Sequence, residues 1–381
     1  MSGPLAGIKI VEIVGLGPAP FCAMLLSDLG AEVIRVDRPG GGEIMSAVAP
    51  RFDTTARGRR SIALNLKKPG AAETVLDLVR RADGLIEGFR PGVMERLGLG
   101  PDACLLANPK LVYGRMTGWG QDGPLAKAVG HDINYIALAG VLSMIGKAGE
   151  PPVIPSNLIG DFGGGGMLLA LGMLAALLET SRSGKGQVVD AAMVEGAALL
   201  NTMNWGFHAA GLWSNERGTN NNDGAAHYYN TYLCADGKYV SIGSVEPQFY
   251  ATLRKVLNLV SPDFDAQHDP AAWPALKEEL ARIFKTKTSD EWCRLMEGQD
   301  VCFAPVLDFG DAPSHPHNVA RRVFVEVDGV TQPAPAPRFS RTPAPAPRGA
   351  SAAGSDTQDA LLDWGISAER IEQMRAGGAL G

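Results

Sequence analysis

The first apolar run, IKIVEIV (8–14), is β-branched and carries only Lys9 and Glu12 as charges, the pattern of a buried strand. A Gly/Pro segment, GLGPAP (15–20), follows it, and then FCAMLLSDLG (21–30), whose apolar positions recur at helical spacing until Gly30 ends the run. AEVIRVDRPG (31–40) is strand-like again and closes in a Pro-Gly turn. The alternation continues with a helical stretch at 71–82, a strand at 84–89, a short glycine-stopped helix at 93–100 and strands at 110–118 and 187–193. Strand, helix, strand in this order predicts parallel pairing and a doubly wound α/β sheet.

The most apolar run, GGGGMLLALGMLAALL (163–178), predicts a buried helix over 163–180, since it falls short of the ~20 apolar residues of a bilayer span. Beyond a turn-rich linker, GTNNNDG (218–224), the stretch 227–244 predicts a hairpin with Asp236-Gly237 at its tip, and helical spacing returns at 271–285 and 288–297. Two near-copies of PAPAPR (333–338 and 343–348) favour extended polyproline geometry, so a strap is expected there, followed by helical periodicity over 356–378. The expected organisation is a large Rossmann-like α/β domain over 1–204, a smaller α+β domain over 225–328, and a strap with a C-terminal helix over 329–381 that returns to the large domain.

Composition narrows the function. Hydrophobic residues make up 45% of the 381 positions, ample for such a core, and the net charge of −6 argues against a nucleic-acid binder, which needs a basic face. The five cysteines are scattered without CxxC spacing, so neither a disulfide framework nor a metal site is expected. The N-terminal residues lack the basic and apolar regions of a signal peptide, which suggests a cytoplasmic location without membrane insertion.

GLGPAP, with Asp37 about 20 residues on, nearly matches the dinucleotide fingerprint. Pro18 and Pro20 remove backbone donors, so a tight turn is the better reading. The run GGGG (163–166) lacks a following GK[ST] and is no phosphate loop. Arg35, Arg38, Arg57, Arg59, Arg60, Lys67, Lys68, Arg90 and Arg96 are either a solvated face or a site for an anionic, nucleotide-like carrier. His131 and Asp132 head the apolar stretch GHDINYIALAG (130–140), as a hydrogen-bonded pair or with His131 as a base. Asp161 stands ahead of the glycine run, and Glu246 precedes Pro247 at the start of a helix; each has an N-cap reading beside a catalytic one.

Taken together, GHDINY (130–135), NLIGDFGGGG (157–166), SGKGQVVDAAM (183–193) and VEPQFY (245–250) resemble the α-methylacyl-CoA racemases, within the family III CoA-transferase superfamily. EGFRPGVMERLGLGP (87–101) and MTGWGQDGP (116–124) extend the resemblance from residue 3 to about residue 343. It implies an interlocked homodimer acting on an acyl-CoA, with no cofactor beyond the CoA of the substrate. His131 and Asp161 would exchange the C2 proton from opposite faces, and Glu246, from either chain, would orient His131. CoA or substrate contacts fall on Arg38, Leu64, Asn65, Leu66, Lys67, Gly88, Phe89, Arg90, Arg96, Gly130, Asp132, Ile133, Asn134 and Tyr135. The alternative in the same superfamily is a CoA transferase with Asp161 as the covalent acyl carrier; such enzymes generally lack a histidine at the position of His131. The glycines at 163–166 are expected to open a helix and leave bare N–H groups for the enolate oxygen. Methionines 144, 167, 173, 193 and 203 are core packing or a soft acyl-binding surface.

Overall fold

A computed structural model describes residues 2–41 and 49–380. The chain forms two units, one of residues 1–139, 156–200 and 321–381, the other of 140–155 and 201–320. In the first, β1 (Lys9–Ile13), β2 (Glu32–Asp37), β3 (Arg60–Ala63), β4 (Gly84–Glu87), β5 (Val112–Thr117) and β6 (Gln187–Ala192) make one parallel sheet in the order β3-β2-β1-β4-β5-β6. The chain reverses its direction of winding between β1 and β4, so a crevice opens beyond the carboxyl ends of those strands. The helices of this unit are α1 (Pro18–Asp28), α2 (Ala71–Val79), α3 (Val93–Arg96), α4 (Pro101–Ala107), α5 (Asp132–Leu138), α6 (Leu168–Ser183) and α7 (Met193–Leu200).

Strand alternation divides the core. Val11, Leu85 and Tyr113 pack with Val75 and Leu78 of α2 and Cys104 of α4 on one face. Their neighbours Ile10, Ile86 and Val112 pack with Leu26 of α1 and Leu169 and Met173 of α6 on the other. Helix α1 starts at Pro18, three residues before the periodicity suggests. Pro18 and Pro20 lie in its first turn, where N–H groups have no acceptor within the helix, so their missing donors cost nothing.

The helix expected over 163–180 begins five residues earlier. Leu158–Met167 is a π-helix that continues into α6, giving a 26-residue helix from Leu158 to Ser183. By length and composition it is able to span a bilayer, a criterion the shorter apolar run does not meet. Its glycines point elsewhere. A Cβ on Gly164 would stand 2.6 Å from the Ala197 nitrogen, one on Gly165 3.0 Å from Pro18 Cβ, and one on Gly196 1.8 Å from the Gly164 oxygen. The glycine run therefore lets α7 and α1 press backbone to backbone on the π-helix.

The second unit holds an antiparallel sheet of β7 (Tyr229–Leu233), β8 (Tyr239–Gly243) and β9 (Phe303–Val306), with Gly237 at φ +79° in the hairpin tip. Its helices are α8 (Thr202–Ala209), α9 (Pro247–Leu257), α10 (Trp273–Phe284), α11 (Ser289–Met296) and α12 (Pro316–Arg321). Thr288 and Glu291 form a reciprocal capping box on α11. Tyr228, Tyr232, Phe284 and Trp292 fill the core. Residues 140–155 join this unit because Arg217 donates hydrogen bonds to the carbonyls of Ser143 (3.0 Å) and Glu150 (2.6 Å).

After the hairpin β10 (Phe324–Val327) and β11 (Val330–Pro333), both PAPAPR segments lack regular structure beyond the end of β11. Helices α13 (Thr357–Asp363) and α14 (Ala368–Ala376) bring Leu361, Trp364, Ile371 and Met374 into the core of the first unit. Trp364 donates its indole N–H to Glu32 at 2.8 Å, and Asp356 accepts from the Ser61 N–H at 2.9 Å.

Candidate active site

Charges inside a parallel sheet are expensive unless paired, and here the buried ones are paired. Four of the nine basic residues singled out in the sequence are consumed internally. Arg35 pairs with Asp37 at 2.7 Å, Arg57 with Asp28 at 2.5 Å, Arg59 with Glu12 at 2.6 Å, and Arg60 with Glu32 and Asp363. The Arg59–Glu12 pair is wholly buried, and burial raises the Glu12 carboxyl against the pull of the guanidinium. Arg38, Lys67, Lys68, Arg90 and Arg96 are exposed and form no salt bridge among the described residues. Arg38 follows β2, Lys67 follows β3 and Arg90 follows β4, so three free cations line one edge of the sheet.

Two expected contact residues have other work. Leu64 is buried in the core and bridges to Leu380 of the tail, while Leu66 packs on the same cluster. Both side chains are thus engaged in apolar packing just beyond β3. Asn65 gives its N–H to the Ala379 carbonyl at 2.8 Å and takes the Lys67 N–H on its side chain at 3.1 Å, which shapes the turn carrying Lys67. Phe89 also rests against the core, with its N–H on Glu87 at 2.7 Å. Gly88 is exposed, and a Cβ there would come within 3.2 Å of Ala19 Cβ.

His131 is the exposed N-cap of α5, and Asn134 accepts its backbone N–H at 3.0 Å. The next residue, Asp132, is buried, and its Oδ2 accepts the N–H groups of Gly160 (2.6 Å) and Asp161 (2.8 Å). A carboxylate can approach so closely because residue 160 is glycine: a Cβ there would lie 2.7 Å from that oxygen. Asp132 thus staples α5 to the first turn of the π-helix, the backbone-holding use of this side chain. The staple also corrects the expected oxyanion donors, since the Asp161 N–H is taken and residues 163–166 lie in the helix interior.

Asp161 projects toward the loop after β1. A Cβ on Gly17, which has φ +69°, would sit 3.5 Å from Asp161 Oδ2, and Asn157 donates to that oxygen at 3.3 Å. Burial holds the Asp161 carboxyl above the usual carboxylate range; the Asn157 hydrogen bond and the His131 charge oppose the shift, and the Asp132 charge adds to it. His131 and Asp161 therefore feel one another electrostatically. Tyr135 has its hydroxyl on the Gly130 carbonyl and its ring edge-on to Trp119 at 4.8 Å; burial raises its pKa, the Asp161 charge adds to the shift and the Arg90 charge opposes it. Ile133 is half-buried on the first turn of α5. Beside His131 opens a cleft of about 730 Å³, lined by Trp119, Leu125, Val129, Gly130, Asn134, Ala137 and Leu138.

Glu246 belongs to the second unit, as the exposed N-cap of α9, and makes no capping hydrogen bond. Among the described residues no group of three or more His, Cys, Asp or Glu side chains is placed to hold a metal ion. Sequence reasoning passed over Gly17, Asn157, Trp119 and the pair Glu87–Arg115. Asn157 had a signal, since a residue four positions before Asp161 shares its helix face; a charge inside an otherwise apolar strand was the signal for Glu87 and Arg115.

The sequence model of CoA-transferase family III matches residues 5–357. Over 376 residues the chain is 47% identical to the alpha-methylacyl-CoA racemase of Mus musculus, covering 98% of this chain and 96% of that one. Identity to the alpha-methylacyl-CoA racemase of Homo sapiens is 45% with the same coverage. A solved CAIB/BAIF family protein from Brucella suis shares the fold, with a TM-score of 0.84 at 24% identity over 96% of this chain and 100% of that one.

Proposed function

The chain belongs to CoA-transferase family III, and from that premise we propose that it interconverts the 2R and 2S epimers of 2-methylacyl-CoA thioesters by 1,1-proton transfer through an enolate. The observation that carries this reading is a half-buried Asp161 of raised pKa, tied through its N–H to Asp132, the residue that follows His131 at the mouth of an apolar cleft. A racemase needs one proton carrier on each face of C2, each titrating near the working pH. An ordinary aspartate is a poor acid at neutrality; desolvation moves Asp161 in the required direction. His131 takes the proton from one epimer while Asp161 supplies one to the opposite face, and the roles reverse for the other epimer. Arg38, Lys67, Arg90 and Arg96 are free to meet the phosphates of CoA. No cofactor enters this chemistry beyond the CoA of the substrate.

Glu246 completes the site in this reading, supplied by the second copy of an interlocked dimer and accepting a hydrogen bond from His131. Exposed Leu158, Met167, Leu171 and Leu178 on the long helix support a covered face. Co-expressed His131→Ala and Glu246→Ala chains form mixed dimers with one intact site, so about a quarter of wild-type activity returns under random pairing. No recovery means that one chain supplies both residues.

Deuterium uptake tests the reaction itself. In D2O, 2-methyldecanoyl-CoA exchanges its C2 proton with no acceptor acid present, and His131→Ala or Asp161→Asn slows exchange by about 10²-fold or more. CoA exchange that depends on an acceptor acid, without deuterium uptake, overturns the proposal in favour of transfer through Asp161.

A further inference from the structure

The segment Glu87–Arg96 leaves the carboxyl end of β4, carries Arg90 over a turn closed by Val93 N–H to Arg90 O at 3.1 Å, and re-enters the fold as α3. Its two acidic ends converge on one side chain. Arg115, on the neighbouring strand β5, donates from Nε to Glu87 Oε1 at 2.9 Å and pairs through Nη1 with Glu95 Oε1 at 2.9 Å. Glu87 is fully buried and Arg115 nearly so, held in register as Glu87↔Arg115 by the sheet. The other oxygen of Glu87 takes the Phe89 N–H at 2.7 Å, fixing the first bend of the loop. At the far end, a Cβ on Gly100 would meet Glu95 Cγ at 2.8 Å, so the backbone there is drawn against the Glu95 side chain.

We propose that Arg115 is a positioning residue for thioester binding: by holding Glu87 and Glu95 at once it closes the loop between them and presents Arg90 and Arg96 to the phosphates of a CoA thioester. The inference rests on the acyl-CoA reading above and adds residues that touch no substrate. A short loop closed at both ends by a rigid planar fork loses little entropy when ligand arrives, which is how preorganisation strengthens binding. Arg115 and Glu87 stand on strands, so the loop is referenced to the sheet.

The test is CoA affinity by calorimetry beside C2 deuterium exchange of 2-methyldecanoyl-CoA. Glu95→Gln removes the charge of the outer partner, whose side chain is 44% exposed, and leaves the buried Arg115–Glu87 pair intact. It raises the Kd for CoA and the KM for the thioester about tenfold, with kcat within about twofold of wild type. Arg115→Lys keeps one partner at a time and falls between wild type and Glu95→Gln. A Glu95→Gln chain that binds CoA like wild type, or loses kcat and keeps KM, overturns the inference while the functional reading stands. A wild-type chain that binds no CoA overturns both.

Discussion

Asp132 spends its carboxylate on two backbone donors of the neighbouring helix, and so sets where Asp161 stands. Removing it leaves the Gly160 and Asp161 N–H groups without that acceptor, at about 1–3 kcal/mol for an unsatisfied buried donor. Asp132→Ala is expected to lose about 2–4 kcal/mol in urea denaturation and to slow deuterium exchange, because the turn bearing Asp161 is released. A variant with unchanged stability would show that the staple is idle. At this scale the sequence was informative about identity and poor about employment. His131, Asp161 and Glu246 stand out as titratable groups at helix starts, and Asp132 reads as a holder of backbone or of cofactor; the Gly160 and Asp161 N–H groups supply the backbone. Leu64 and Leu66 show a similar limit: a motif records that residues recur together, whereas the fold decides that these two side chains pack on the core.

Among the elements, the π-helix departs furthest from its pattern. Four glycines before an apolar run read as a bare helix start, yet a packing surface requires the same absence of a Cβ. Contact with α7 selects the second. Gly196→Ala would drive a methyl into the Gly164 carbonyl, so a loss of about 3 kcal/mol or more is expected from overpacking against backbone. Gly206→Ala on α8 meets nothing within 4 Å and is expected to be neutral or stabilising by up to about 1 kcal/mol. Equal denaturation midpoints for the two variants would refute the packing role. Where local chemistry suffices, elements were legible: Pro247 at the first position of α9, and Asp236-Gly237 between β7 and β8. Strands β9 and β10 were not, because the short runs FAPV and FVEV gain their pairing only from partners elsewhere in the chain.

For the whole molecule, pH acts through groups that burial has moved. His227 is fully buried, its Nε2 2.7 Å from the Tyr250 hydroxyl, and burial with the nearby His268 charge lowers its pKa to about 4. A folded pKa below the unfolded value of about 6.5 means that the unfolded chain binds the proton first. Stability is therefore full above about pH 6.5 and falls as the pH drops toward 4, by on the order of 3 kcal/mol from this residue. The His227→Gln chain is expected to show a correspondingly flatter stability curve between those limits. An unchanged slope in urea titrations across that range would rule His227 out as the source.

Sequence alone determined the alternation of strand and helix, the parallel sheet it requires, and the residue types able to move a proton or meet a phosphate. These follow from local patterning, which each segment carries within itself. Tertiary structure decided which charges remain free for a ligand, that Asp132 holds backbone, that the glycines pack, and that Glu87, Arg115 and Glu95 form one clamp. Each of these depends on which atoms distant segments bring within 3 or 4 Å, through desolvation and close contact, and no single segment encodes that proximity.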